Sequence, residues 1–113
     1  MKAEPDGEIQ WLLHLKRDHP ALQQTGSRRQ IPTNADDKYY AFIRTAPDGV
    51  ERVLVVLNFQ RGFQKIEVNL SGIDTGGLVE LKTGEELAPT SLLRTGLYSY
   101  GYRFYLLKPA AAK

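Results

Sequence analysis

Two adjacent acidic pairs, Asp36-Asp37 and Glu85-Glu86, are the residues best suited by type to general acid–base chemistry. That chemistry needs two ionisable groups held across one bond. Each pair instead sits near a turn residue, Asn34 or Gly84, where solvated carboxylates are routine. The two histidines, His14 and His19, are five residues apart and so fall on different faces of a helix. A metal site of the zinc type wants three or four ligands on one side. His14 reads as a surface side chain, and His19 as a partner of the last helical carbonyls. No Gly-x-Ser-x-Gly elbow, phosphate loop or dinucleotide fingerprint occurs. Ser27, Ser71, Ser91 and Ser99 neighbour turns or strand edges, and none adjoins a base. These residues nominate no catalytic group, no metal ligands and no cofactor, so the domain is expected not to be an enzyme by itself.

One pattern has the chemistry of a binding surface. Tyr98, Tyr100, Tyr102, Phe104 and Leu106 recur at strict period two near the carboxy terminus. Exposed aromatic rings can stack against sugars, which makes Tyr98 and Tyr100 candidate carbohydrate-binding residues. The same stripe can equally line a core, with its hydroxyls at the rim.

The elements that must position these residues are mostly strands. An amino-terminal helix is predicted over residues 8–18, with Asp6 as N-cap and His19-Pro20 as the stop. Its apolar arc is broad. Ile9, Leu12 and Leu13 lie on one face, while Trp11 and Leu15 lie on a neighbouring one. Trp11, Leu12 and Leu15 are therefore candidate interface residues.

An edge strand over 28–31, halted by Pro32, comes next. Strands over 38–45, 52–59 and 64–70 are predicted as an antiparallel meander. Its turns are Ala46-Pro47-Asp48-Gly49 and Gln60-Arg61-Gly62. Strands 38–45 and 52–59 are apolar on both sides, which predicts cover on both faces. One cover would be a second sheet and the other the amino-terminal helix or something docked beside it. Strand 64–70 alternates, with Ile66, Val68 and Leu70 on the apolar side. A hairpin around Thr83-Gly84, a brief strand over 92–95 and a closing strand over 100–107 complete the pattern. The expected fold is all-β: an antiparallel, Greek-key-like β-sandwich of about 7–8 strands preceded by one α-helix.

Composition narrows the partners. The chain has 113 residues, enough for one domain, and no cysteine. Its net charge is +2 with both signs interspersed, and the basic cluster Arg28-Arg29 is only two residues long. No nucleic-acid partner is expected from this pattern. No apolar run approaches the ~20 residues of a membrane span. The first residues lack the apolar core of a signal peptide, and localisation is not indicated.

Five stretches together resemble a known family. Residues 12–22, ending in His19-Pro20-Ala21-Leu22, are similar to the segment that closes the catalytic barrel of glycoside hydrolase family thirteen, the α-amylase family. Residues 37–44 resemble an early strand of that family's carboxy-terminal sandwich. Val53-Leu54-Val55-Val56-Leu57-Asn58-Phe59 resembles its strand ending in Asn-Phe. Residues 81–87 resemble its Leu-x-Thr-Gly hairpin, and residues 98–106 its closing strand.

The resemblance spans residues 8–107 and implies a non-catalytic accessory domain of an α-glucan-active hydrolase or transglycosylase. Residues 1–27 would be a lead-in and the last helix of a barrel that this chain otherwise lacks, and 28–113 the sandwich. The implied partner is that catalytic barrel. The alternative is a module that contacts maltooligosaccharide or starch through exposed tyrosines. The family's catalytic acids lie on barrel strands, so none is carried over to this sequence.

Overall fold

The computed structural model describes residues 17–18 and 27–109, apart from residues 48 and 50. The amino-terminal helix lies outside the described residues except at Arg17 and Asp18, whose backbone is helical. Eight strands follow in order. They are β1 (Ser27–Ile31), β2 (Tyr39–Thr45), β3 (Arg52–Asn58), β4 (Gln64–Asn69), β5 (Gly77–Glu80), β6 (Glu86–Leu87), β7 (Leu92–Leu97) and β8 (Tyr102–Lys108). They form a six-stranded sheet in the order β1-β2-β3-β8-β5-β6 and a two-stranded sheet of β4 and β7. Every pairing is antiparallel. The predicted all-β antiparallel sandwich is the fold that forms. Among the described residues no helix is long and apolar enough to cross a membrane.

Period-two alternation assigns each side chain to a face. Ala41 and Ile43 of β2 pair with Val56 and Leu54 of β3, and Leu54 pairs with Tyr105 of β8. These residues face inward and meet Ile66, Val68 and Leu93 from the smaller sheet in one buried core. The apolar side predicted for strand 64–70 is the side that is buried. The opposite face of the large sheet is apolar too. Val53, Val55 and Ala46 are buried there, with Phe42, Phe104 and Leu106 half-buried around them.

The turn between β2 and β3 follows its residues. Gly49 takes φ 77° and its N–H donates to the Ala46 carbonyl at 2.8 Å. Only a residue that tolerates positive φ closes this turn cheaply.

The predicted meander is corrected after β3. Strand β4 does not lie beside β3 but crosses to the other sheet, where Ile66 pairs with Thr95 and Val68 with Leu93. The vacant edge of β3 is taken by β8 instead. The reason is burial. Strand β3 is apolar on both faces, and so is β8 between Phe104 and Leu107. Strand β4 carries Lys65 and Glu67 on one face, and a central place in the large sheet would bury both charges.

The two sheets are stitched near the start of the sandwich. Beyond β1, Thr33 forms an isolated bridge with Val68. Asn34 exchanges bonds with Glu67: its N–H donates to the Glu67 carbonyl at 3.0 Å, and its Oδ1 accepts the Glu67 N–H at 2.9 Å. Residues just after a strand of the large sheet thus pair with a strand of the small one.

Candidate functional site

Two turns meet at one end of the sandwich, the β3–β4 turn and the β7–β8 turn. Asn58, the last residue of β3, joins them. Its side chain is 1% exposed, which requires that its polar atoms be met. The Nδ2 donates to the carbonyls of Gly62 at 3.3 Å, Leu97 at 3.4 Å and Tyr98 at 3.0 Å. The Oδ1 accepts the Gln60 N–H at 2.8 Å. Backbone bonds add to this: Asn58 N–H to the Gly101 carbonyl at 2.9 Å, and Tyr100 N–H to the Gln60 carbonyl at 3.1 Å. The Gly62 N–H also donates to Ser99 Oγ. One buried amide therefore fixes both loops.

That frame carries four exposed aromatic rings: Phe59 at 56%, Phe63 at 49%, Tyr98 at 76% and Tyr100 at 61%. Phe63 and Tyr98 touch edge to face, with centroids 5.0 Å apart and planes at 61°. The Phe63 ring lies over Gly96. A Cβ built on Gly96 would collide with the ring's far edge, so the missing side chain is what seats it.

The nominated tyrosines are both at this end, but not as the period-two stripe predicts. Strand β8 begins at Tyr102. Tyr98 and Tyr100 belong to the preceding turn, closed by the Gly101 N–H on the Tyr98 carbonyl at 2.9 Å. Tyr100 adopts φ 53°, a left-handed conformation uncommon for a bulky residue, and this breaks the alternation. Neither ring lines the core. Phe59 and Phe63 were not nominated from sequence. Their signal was present: two phenylalanines flank a glycine turn, where polar residues are usual. Trp11, Leu12 and Leu15 lie outside the described residues.

Two clefts flank the aromatic end. The first, about 240 Å³, is lined by residues that include Glu80, Thr83, Gly96, Tyr98, Tyr102 and Arg103. Tyr100 does not line it. Glu80 is only 3% exposed, and its Oε1 accepts from both the Thr83 N–H and hydroxyl at 2.7 Å. Arg103 donates through Nη2 to the Gly96 carbonyl at 3.2 Å, while its Nε is buried without a hydrogen-bond partner. An unmet buried donor costs about 1–3 kcal/mol. Lys82 lies over the Tyr102 ring at 5.9 Å. The second cleft, about 380 Å³, lies on the outer face of the small sheet beside Phe63, Lys65, Glu67 and Arg94. Within it Arg94 pairs with Glu67 at 3.4 Å.

The acidic pairs serve turns and surface contacts. Asp36 accepts from the Thr33 N–H and hydroxyl at 2.8 Å. Glu86 bonds Lys108 at 2.8 Å, which holds its carboxyl below the usual range. Burial pushes the Tyr105 phenol up, against its hydrogen bond to Thr95 at 3.0 Å. Among the described residues no group of three or more His, Cys, Asp or Glu side chains is placed to hold a metal ion.

Comparison with known proteins places this arrangement. The maltogenic amylase C-terminal domain family matches residues 29–104, which is most of the chain. The chain belongs to that family. No curated protein sequence matches it at a significant level. Among solved structures, AmyP in complex with maltose superposes with a TM-score of 0.75 at 25% identity. That match covers 93% of this chain and 21% of AmyP. An α-amylase from Anoxybacillus matches with a TM-score of 0.63 at 20% identity, over 88% of this chain and 21% of the enzyme. A β-L-arabinopyranosidase from Geobacillus stearothermophilus shares the fold with a TM-score of 0.63 at 18% identity, over 81% of this chain and 22% of that enzyme. The maltogenic amylase C-terminal domain thus spans about a fifth of the enzymes it matches. Of the stretches that suggested the α-amylase family, residues 37–44, 53–59 and 81–87 fall within the matched residues, and residues 98–106 all but their last two positions.

Proposed function

We propose that this domain is a non-catalytic accessory of an α-glucan-active glycoside hydrolase or transglycosylase, and that it stabilises the enzyme's catalytic barrel. Family membership and the likeness to AmyP, which was crystallised with maltose, support the α-glucan assignment. The observation that carries the accessory role is the second apolar cluster. Val53, Val55, Phe42 and Leu106 face away from the sandwich core, and Phe42 and Leu106 are only half-buried there, which leaves apolar surface for a partner element. The helix of residues 8–18, with Trp11, Leu12 and Leu15, is the proposed bridge between this face and the barrel.

Thermal unfolding of a barrel carrying this domain tests the idea. Leu106→Ser is expected to lower the barrel's midpoint by several degrees and to leave its active-site chemistry intact. A barrel that melts at the same temperature with and without the domain would end this reading.

The second reading, a module that touches α-glucan, is favoured by the high exposure of Tyr98 and Tyr100 on a fixed frame. Stacking on rings held by Asn58 would cost little ordering entropy.

A further inference from the structure

We infer that the free edge of β7 takes up an extended segment of another polypeptide as a third strand of the small sheet. The segment it fits has an acidic residue with an apolar residue two positions to either side. This docking edge is independent of the α-glucan assignment.

The edge follows from the register. In an antiparallel pair, successive residues turn their backbone groups to opposite sides. On β4 the Glu67 N–H and carbonyl are both engaged by Asn34, and the Asn69 N–H by the Pro32 carbonyl. Those residues point away from β7, so Gln64, Ile66 and Val68 point toward it. Their partners there are Leu97, Thr95 and Leu93. Leu92, Arg94 and Gly96 therefore turn their backbone groups to the far side. Side chains meet some of these groups. The Thr90 hydroxyl bonds the Leu92 N–H at 3.2 Å and the Leu92 carbonyl at 3.0 Å. Arg103 Nη2 donates to the Gly96 carbonyl at 3.2 Å. The Arg94 N–H, the Arg94 carbonyl and the Gly96 N–H have no hydrogen-bond partner among the described residues. Unpaired groups in such a row are the template on which a strand is added.

The surroundings select the occupant. Strand β4 lies toward β2, where the Tyr39 hydroxyl donates to Gln64 Oε1 at 2.7 Å. Strand β7 lies over β8, tied to it by the Tyr105–Thr95 and Arg103–Gly96 bonds. Its free edge thus faces the side on which β5 and β6 extend the large sheet. A second copy that paired its own β7 here would bring its own β8 into the place of β5. The edge is closed to a folded copy and open to a single strand. The cleft of about 240 Å³ beside Gly96 is the room such a strand enters.

The outer face gives the pattern. Leu92, Arg94 and Gly96 share that face. Leu92 is exposed, and the exposed Phe63 ring lies over Gly96. Between them stands Arg94, its side chain 75% exposed, with Nε at 3.4 Å from Glu67. A guanidinium keeps further donors after one such contact. A carboxylate opposite Arg94 would continue the alternating charge that Glu67 and Arg94 begin. Apolar residues two positions to either side would lie beside Leu92 and Phe63. The positions between them face Glu80, Thr83 and Arg103, where short polar side chains fit.

The test is a titration of the isotopically labelled full chain with the blocked peptide acetyl-Val-Thr-Glu-Thr-Val-amide. The Arg94 and Gly96 amides should shift downfield and exchange more slowly with solvent. Those of Arg29 and Glu86, on the margins of the large sheet, should not move. Methylating the glutamate nitrogen of the peptide removes the donor for the Arg94 carbonyl and should abolish the shifts. Replacing that glutamate with lysine should weaken binding roughly fivefold. Arg94→Glu alters an exposed ion pair that adds little to stability, so this variant should fold, and it should prefer the lysine peptide. Equal binding of the methylated peptide would overturn strand addition. Equal binding of the lysine peptide by the parent chain would overturn the acidic partner. No change at Arg94 and Gly96 at millimolar peptide would overturn the docking edge itself.

Discussion

The six-stranded sheet has two apolar faces, and they are closed to different depths. On the inner face Leu54, Val56 and Ala41 are fully shielded by the opposing sheet. On the outer face only Val53, Val55 and Ala46 reach that depth, and Phe42, Leu57, Phe104 and Leu106 stay half-buried. Both faces are built from the same strands, with similar residues in alternate positions. The inner face holds the domain together. The outer face is suited to holding the domain against something else. A strand such as β3, apolar at every position from Val53 to Leu57, serves both purposes at once.

Substitution on each face separates the two roles. Leu54→Ala should destabilise the isolated chain by about 2–5 kcal/mol, read by denaturant unfolding. Leu106→Ala, across the sheet, should cost roughly half of that or less, since its side chain is only half-buried. Equal costs would remove the distinction between the faces. Next in size is the corner that joins the two turns. Asn58→Ala strands the carbonyls of Tyr98 and Leu97 and should cost about 1–3 kcal/mol. It should also loosen the turn carrying Tyr98 and Tyr100, visible as broadened amide resonances there.

The smallest effect concerns the inner face alone. Tyr105 has its phenol pushed above the ordinary value by burial. Its folded-state pKa therefore exceeds its unfolded one. The stability this provides is complete below about pH 10 and is lost as pH rises through the folded value. Tyr105→Phe should flatten the alkaline fall in unfolding free energy while giving up the bond to Thr95. An unchanged alkaline profile would show that Tyr105 is not the group responsible.

Much of this fold is legible in the residues, and what is not has physical causes. Strand β4 could be read because Lys65 and Glu67 alternate with Ile66 and Val68. The hairpin at Thr83-Gly84 could be read from its turn residues. Partner choice could not be read. A strand apolar on both sides, like β3, has no side that names its neighbour, so the long-range pairing with β8 stayed hidden. At the candidate site, period two extended the closing strand through Tyr98 and Tyr100. A left-handed tyrosine and Gly101 turn the chain there instead. The cleft was the least legible feature of all. It joins Glu80 of β5, Gly96 of β7 and Arg103 of β8, and no local pattern links those three strands.

The margins of the large sheet have a consequence for crowded copies of the domain. Its last strand, β6, is two residues long and is followed within two positions by Pro89. Its first strand, β1, carries exposed Arg28 and Arg29 and stops at Pro32, which has no N–H to offer. A stray strand from another molecule would find too little backbone to pair with at one margin and like charge at the other. Crowded copies of such a domain should resist edge-to-edge stacking into fibrils, even though the sheet between those margins is among the most apolar parts of the chain.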